Sequence, residues 1–246
     1  ISQQISTDLS LSNLILCAFL FLTGASIPHI VGGSDAPAGK YPYQVSLRSS
    51  GTHICGASII DKRYVLTAAH CVSAARVKVH VGTNLLSETG VIYDAVKIIS
   101  HAKHNPSRFL NDIALVRVAR DIEFNDLVKP ISLASTNFAV EGDVAVAIGW
   151  GRLSTGGIIP NNLQEIQLKI ESQEKCERVF FQVKDSHICT FTKAGEGACH
   201  GDSGGPLVVN GIQVGIVSFG RPCATGNPDV FTRVFSFRQW INENMI

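Results

Sequence analysis

An excess of charge of either sign is missing from this chain. Its 21 lysines and arginines stand against 20 aspartates and glutamates, a formal net charge of +1. That removes the basic footprint expected of a nucleic-acid-binding protein. Charged residues make up only 17% while hydrophobic ones reach 45%, so the chain is not an intrinsically disordered one. Apolar runs of membrane-spanning length are also missing. Leu14 to Leu22 is an unbroken apolar run of nine residues, too short for a bilayer but suited to a signal-peptide core. Small residues for cleavage follow at Thr23-Gly24-Ala25-Ser26. The segment does not open on Met, carries Asp8 and has no Lys or Arg before the run, as an incomplete start would. Residues 1–29 are therefore expected to be a secretory leader with a short pro-segment. After its removal no membrane contact is expected, and the protein should be secreted and extracellular. No Cys pair has CxxC spacing and no HxxxH accompanies them, so zinc is not expected. Asn105-Pro106-Ser107 is blocked by its proline, so no N-glycosylation sequon is present.

What is abundant points to short strands and tight turns. The 22 glycines and 9 prolines suit an all-β protein. Tyr43–Leu47 and Arg76–Val81 alternate apolar and polar residues, as half-buried strands do. Asp112–Val118, Val144–Ile148, Leu207–Val209 and Ile212–Ser218 are further strand candidates. Ser49-Ser50-Gly51, Ser154-Thr155-Gly156-Gly157 and Asn210-Gly211 between them are turn chemistry. A sandwich or barrel follows. Late in the chain Phe237, Trp240, Ile241 and Met245 fall at helical spacing, and a C-terminal helix packed on the body is expected. Of seven cysteines, Cys17 lies in the leader. The other six, Cys55, Cys71, Cys176, Cys189, Cys199 and Cys223, read as three disulfides in a secreted chain, with the pairing open.

Three local sequences carry chemistry. Leu66-Thr67-Ala68-Ala69-His70-Cys71 offers a histidine, Asn111-Asp112-Ile113-Ala114-Leu115 an aspartate opening a strand, and Gly201-Asp202-Ser203-Gly204-Gly205-Pro206 a serine in a glycine-rich turn. Each is weak alone. Together they supply what acyl transfer needs. A serine hydroxyl must lose its proton to an adjacent base, histidine titrates near neutrality, and a carboxylate fixes the imidazole tautomer and stabilises its cation. The chain order is His70, Asp112, Ser203.

From Ile30 to Ile246 the sequence resembles the chymotrypsin/trypsin family of serine proteases, most closely secreted insect chymotrypsins. GKYPYQVSLR, CGASII, LTAAHC, GWG, CHGDSGGPL and PDVFTRV carry the likeness. The resemblance implies two six-stranded antiparallel β-barrels with the active site between them and a C-terminal α-helix, residues 30–135 forming the first barrel and 136–246 the second. It implies His70, Asp112 and Ser203 as the catalytic residues and the N–H groups of Gly201 and Ser203 as the oxyanion hole. It also implies the pairs Cys55–Cys71, Cys176–Cys189 and Cys199–Cys223.

The same resemblance implies a substrate pocket and an activation switch. Gly197 falls at the pocket floor with Ala198 beside it, Ser218-Phe219-Gly220 pairs with substrate backbone, and Gly220 leaves the entrance open. An apolar slot for Phe, Tyr or Leu at P1, the residue before the scissile bond, is expected. Asp229 falls where the family's pocket wall carries glycine, so a broad-specificity, collagenolytic-type protease that also accepts Arg and Lys is the alternative. A non-catalytic binding homologue is the rival outside enzymes, although every triad position is kept. Ile30-Val31-Gly32-Gly33 resembles a new N-terminus whose ammonium pairs with Asp202; the residue before it is His29, where the family has Arg or Lys. The partners implied are protein or peptide substrates and protein protease inhibitors. No cofactor, no metal and no nucleic acid is expected, and the protein should be a monomer.

Overall fold

The computed structural model describes residues 30–73 and 76–246. The expected leader, with Leu14–Leu22, Cys17 and His29, lies outside the described residues. After the short strand β1 (Ser34–Asp35), six strands follow: β2 (Gln44–Ser49), β3 (Thr52–Ile59), β4 (Tyr64–Thr67), β5 (Lys78–Val81), β6 (Val91–Ser100) and β7 (Ala114–Val118). They close antiparallel in the order β2-β3-β4-β7-β6-β5, with β5 returning to β2. Closure leaves no exposed sheet edge. Val45, Leu47, Val65, Val79 and Val116 fill the interior, each with no exposed surface. β4 is buried at all four positions. A strand covered on both faces has no reason to alternate, which is why Tyr64–Thr67 is not conspicuous as a strand in the sequence.

The second barrel uses β9 (Val144–Gly149), β10 (Gln164–Glu171), β11 (His187–Thr190), β12 (Pro206–Val209), β13 (Ile212–Gly220) and β14 (Asp229–Arg233), preceded by the two-residue β8 (Ser132–Leu133). Its path runs β10-β11-β14-β13-β12-β9, and β9 closes it by pairing with β10 from Val144↔Lys169 to Gly149↔Gln164. β1 adds to β10 through Ser34↔Glu165 and Asp35↔Gln164, tying the segment after Ile30 to this barrel. Among the described residues two short α-helices complete the fold. In α1 (Gln173–Val179) the Ser172 hydroxyl caps the first turn by accepting from the Lys175 N–H at 3.3 Å. The expected C-terminal helix is present as a 3₁₀ turn, Val234–Phe237, leading into α2 (Arg238–Asn244). Phe237 and Ile241 are buried against the core of the first barrel, so the end of the chain clasps the half it did not come from.

Among the described residues the disulfides are Cys55–Cys71, Cys176–Cys189 and Cys199–Cys223. The first joins β3 to the 3₁₀ turn Ala69–Cys71 that carries His70. The third spans the turn before Ser203 and the loop before β14. Hydrogen bonds also cross between the barrels. The Ser58 hydroxyl donates to Gln213 Oε1 at 2.6 Å, the Gly56 N–H to the Ser203 carbonyl at 2.8 Å, and the Thr232 hydroxyl to the Asp112 carbonyl at 2.7 Å.

Candidate active site

His70 and Asp112 come from different stretches of the first barrel and meet at its junction with the second. Asp112 is 1% exposed. One of its oxygens accepts from His70 Nδ1 at 2.7 Å and from the Ser218 hydroxyl at 2.6 Å; the other accepts from the His70 backbone N–H at 3.0 Å. Burial pushes the Asp112 pKa up, but the hydrogen bonds and charge of His70 together with the Ser218 hydroxyl outweigh it and hold the carboxyl below its usual range. The aspartate is thus a fixed anion that obliges Nδ1 to keep its proton. His70 Nε2 is left as the ring's free basic position. A second imidazole, His104, brings Nε2 within 3.5 Å of Asp112 Oδ1.

Ser203 is brought to the same junction by its neighbours. Gly204 sits so close to the first barrel that a Cβ there would strike Thr67 Oγ1 and the Gly56 carbonyl and lie 3.1 Å from Cys71 Sγ. The serine therefore stands beside the turn that carries His70. His70 Nε2 lies 3.7 Å from Cys71 Sγ, and among the described residues it makes no hydrogen bond to the Ser203 hydroxyl. Such bonds are often long in a free enzyme and tighten around substrate.

The turn before Ser203 is shaped by a buried carboxylate. Asp202 is 2% exposed and accepts from the Gly151 N–H at 2.7 Å and the Cys199 N–H at 2.9 Å. Burial raises its pKa to about 7 despite those donors. Gly201 has φ +104°, which an L side chain rarely adopts, and a Cβ there would lie 3.2 Å from Gly151 Cα and the Trp150 carbonyl. Among the described residues, the N–H groups of Gly201 and Ser203 donate to no protein acceptor. Two unpaired donors flanking one residue can receive an anionic oxygen.

A cavity of about 260 Å³ opens beside Ser203. Ala198, Ser218, Phe219, Gly220 and Asp229 line it together with Val217 and Phe109. Gly197 is not part of the lining. A Cβ at Gly197 would strike Asp229 Oδ2, so the aspartate occupies the space that a side chain at 197 would need. Asp229 is 6% exposed, and its Oδ2 accepts from the Ala198 N–H at 2.7 Å. Burial, less that hydrogen bond and with a push from the nearby Asp202 charge, raises its pKa to about 7. Phe109 stacks on Phe219 with ring centroids 4.6 Å apart. The loop position is fixed from the other barrel by His187, whose Nε2 donates to the Phe109 carbonyl at 3.0 Å while its Nδ1 accepts from the Lys184 N–H. Neither Phe109 nor His104 has a local sequence signal, because each acts through a partner far along the chain.

The trypsin family model matches residues 30–241. The chain belongs to the trypsin family. It is similar to Chymotrypsin-2 of Vespa crabro, 54% identical over 88% of this chain and 100% of that protein. It is also 38% identical to Trypsin beta of Drosophila erecta, over 94% of this chain and 98% of that one. Among solved structures, neuropsin of mouse brain, a serine protease, superposes with a TM-score of 0.83 at 32% identity, covering 87% of this chain and 99% of the other. The protein is a serine endopeptidase, and its substrates are proteins or peptides. Cys55, His70 and Cys71 lie close enough together to suggest metal ligands. The two cysteines are bonded to each other, so neither offers the thiolate a metal would take. Among the described residues no helix is long and apolar enough to cross a membrane.

Proposed function

We propose that the protease is a secreted, monomeric endopeptidase that works through an acyl-enzyme at Ser203 and cleaves after Phe, Tyr and Leu. His70 Nε2 takes the Ser203 proton as the hydroxyl attacks the scissile carbonyl. Asp112 stabilises the imidazolium that forms. The N–H groups of Gly201 and Ser203 receive the oxyanion, and such a donor is worth about 3 kcal/mol in the transition state. The proton then passes from His70 to the leaving amine, and water resolves the ester by the same route reversed. The paired Asp112–His70 geometry at 2.7 Å is the observation that carries this reading.

The pocket supports an apolar P1 residue with a conditional second preference. Its walls are Val217, Ala198, Phe219 and Phe109, and Gly220 leaves the entrance open. The Asp229 carboxyl at its end has a pKa of about 7, so near neutrality it is divided between neutral and ionised forms. The neutral form suits an aromatic ring; the ionised form offers a counter-ion to Arg or Lys, whose unpaired burial would be costly. The collagenolytic-type alternative draws on this residue. Profiling cleavage of a peptide library by the matured enzyme tests the assignment. Phe, Tyr and Leu should lead at P1 with measurable Arg and Lys; a profile led by Arg and Lys at neutral pH would overturn the chymotrypsin-like reading.

Activation is proposed to free the amine of Ile30 so that it pairs with Asp202. Ile30 is 1% exposed within the core of the second barrel, and the Val31 carbonyl accepts from the Gly197 N–H at 3.0 Å. Among the described residues two backbone N–H groups are the only donors to the buried Asp202 carboxylate, and an ammonium is the partner that would compensate its charge. Protein protease inhibitors that lay a rigid loop along Ser218–Gly220 are the expected partners besides substrate.

A further inference from the structure

A buried chain of polar groups in the first barrel ends on the turn that holds the two free N–H donors. It starts at Arg48, which is 7% exposed and whose head is held by Ser46 Oγ and the Glu88 carbonyl rather than by a carboxylate. Arg48 Nε lies 3.2 Å from Ser46 Oγ, Ser46 Oγ 2.9 Å from His53 Nδ1, and His53 Nε2 3.0 Å from the Gly201 carbonyl. Ser46 and His53 are 2% and 6% exposed. Trp150 packs beside the imidazole with ring centroids 5.6 Å apart.

The chemistry allows this chain only one direction. A guanidinium has donors and no acceptor, and a carbonyl oxygen only accepts. Ser46 Oγ therefore accepts from Arg48 and has its own proton to give. The Gly201 carbonyl requires the proton of His53 on Nε2. Burial lowers the His53 pKa to about 4, so the ring is neutral at working pH and Nδ1 is bare. The Ser46 hydroxyl donates to it. The far end of the chain holds the peptide between Gly201 and Asp202, which lies between the two donor N–H groups. Its other end is held as well, by the Asp202 N–H on the Cys199 carbonyl at 3.1 Å.

We propose that Arg48, Ser46 and His53 form a one-way hydrogen-bond relay that fixes the His53 tautomer and so positions the Gly201–Asp202 peptide between the two oxyanion-stabilising donors. His53 is a positioning residue in this scheme and touches no reacting atom. The inference rests on the protease reading above. Pre-positioned donors act on the charge that develops in the transition state and contribute little to ground-state binding. Damage to the relay should therefore appear in kcat and leave KM and the pocket untouched.

The test compares wild type with Ser46→Ala, Arg48→Met, His53→Ala and His53→Gln, each as the matured enzyme. Ser46→Ala removes one oxygen and leaves packing nearly intact, so it keeps the test open even if His53→Ala folds poorly. Losing an oxyanion donor outright costs about 100- to 1,000-fold. Ser46→Ala and Arg48→Met, which only loosen the peptide, should lower kcat about 10-fold, with KM within about twofold of wild type. His53→Gln can still donate to the Gly201 carbonyl and should retain more activity than His53→Ala. A peptide aldehyde, whose adduct places an oxygen at the two donors, should lose affinity in step with kcat. Indole, which fills only the pocket, should bind all variants equally. Nitrogen NMR of the wild type should show His53 as the neutral Nε2–H tautomer. Unchanged kcat in Ser46→Ala and Arg48→Met, parallel loss of indole binding, a His53→Gln no better than His53→Ala, or an Nδ1–H tautomer would each overturn the relay. Hydrolysis and Ser203 labelling of the wild type separately check the protease reading on which it rests.

Discussion

Changing pH should change which side chain this protease prefers at P1. Take two peptide substrates that differ only at that residue, one with Phe and one with Arg, and follow the ratio of their kcat/KM values. Because kcat/KM reports the free enzyme, a group that activates both substrates alike, such as His70 or the Ile30–Asp202 pair, cancels in the ratio. What remains is Asp229. Burial holds its pKa at about 7, and the Ala198 N–H and the Asp202 charge are the other influences on it. Below the midpoint, each pH unit multiplies the ionised fraction by about ten. If only the ionised pocket accepts Arg, the Arg-to-Phe ratio should rise about 100-fold between pH 5 and pH 9 and level off above the midpoint. Pairing of Asp202 with the Ile30 ammonium removes one of the causes that raise the value, so in the matured enzyme the midpoint should lie below that of the uncleaved pocket. Stopped assays with both peptides in one vessel measure the ratio directly. Asp229→Asn should flatten it. A ratio already flat in the wild type would show that Asp229 is not presented to the substrate, and the argument from the pocket would fail.

Three further outcomes follow from the same geometry. Ser218→Ala removes a 2.6 Å hydrogen bond from the buried Asp112; bonds to charged groups contribute about 1.5–3 kcal/mol, so kcat should fall at least about 10-fold while KM changes little. Replacing Cys55 and Cys71 with alanine opens the link that anchors the His70 turn and should cost about 2–4 kcal/mol in urea unfolding; an unchanged midpoint would show that the turn is held by packing alone. Asp202→Asn and a chain still carrying residues before Ile30 should both be nearly inactive at every pH, because neither can form the buried ammonium–carboxylate pair. In the matured enzyme, activity should fall on the alkaline side as pH passes the raised pKa of the Ile30 amine, since pairing favours the charged form only below it. Hydrolysis by the uncleaved chain at the rate of the matured one would remove the activation scheme.

The sequence shows the fold best where a β-rich run is bounded by turn residues. Val144–Ile148 is apolar at every position and lies between Gly142-Asp143 and Gly149, and its observed span, Val144–Gly149, differs from the reading by one residue. β4 and β11 are buried throughout, so no period marks them. β6 mixes Asp94 and Lys97 with exposed Val96 and Ile98, so its pattern mimics a loop. β10 does alternate cleanly, yet its glutamines and glutamates hide the apolar stripe of Ile166, Leu168 and Ile170. The residues around Ser203 were conspicuous because a tight turn against a second barrel demands small residues at fixed places. The floor of the pocket was only half legible. The resemblance places both Gly197 and Asp229 at the pocket, but that the carboxylate fills the space over the glycine depends on the loop between β11 and β12 meeting the start of β14. His53, Phe109 and His104 were not legible at all, since each is defined by a contact between distant parts of the chain.

The central claim is that peptide hydrolysis runs through the Ser203 hydroxyl, and an active-site phosphonate tests it most directly. Matured enzyme is treated with a peptidyl phosphonate bearing Phe at P1, digested, and mapped by mass spectrometry while residual hydrolysis is followed in parallel. The account predicts one label, on Ser203, with activity lost in proportion to labelling, and neither labelling nor turnover in a folded Ser203→Ala protein. Labelling at another residue, or a Ser203→Ala protein that hydrolyses peptides at the wild-type rate, would contradict it.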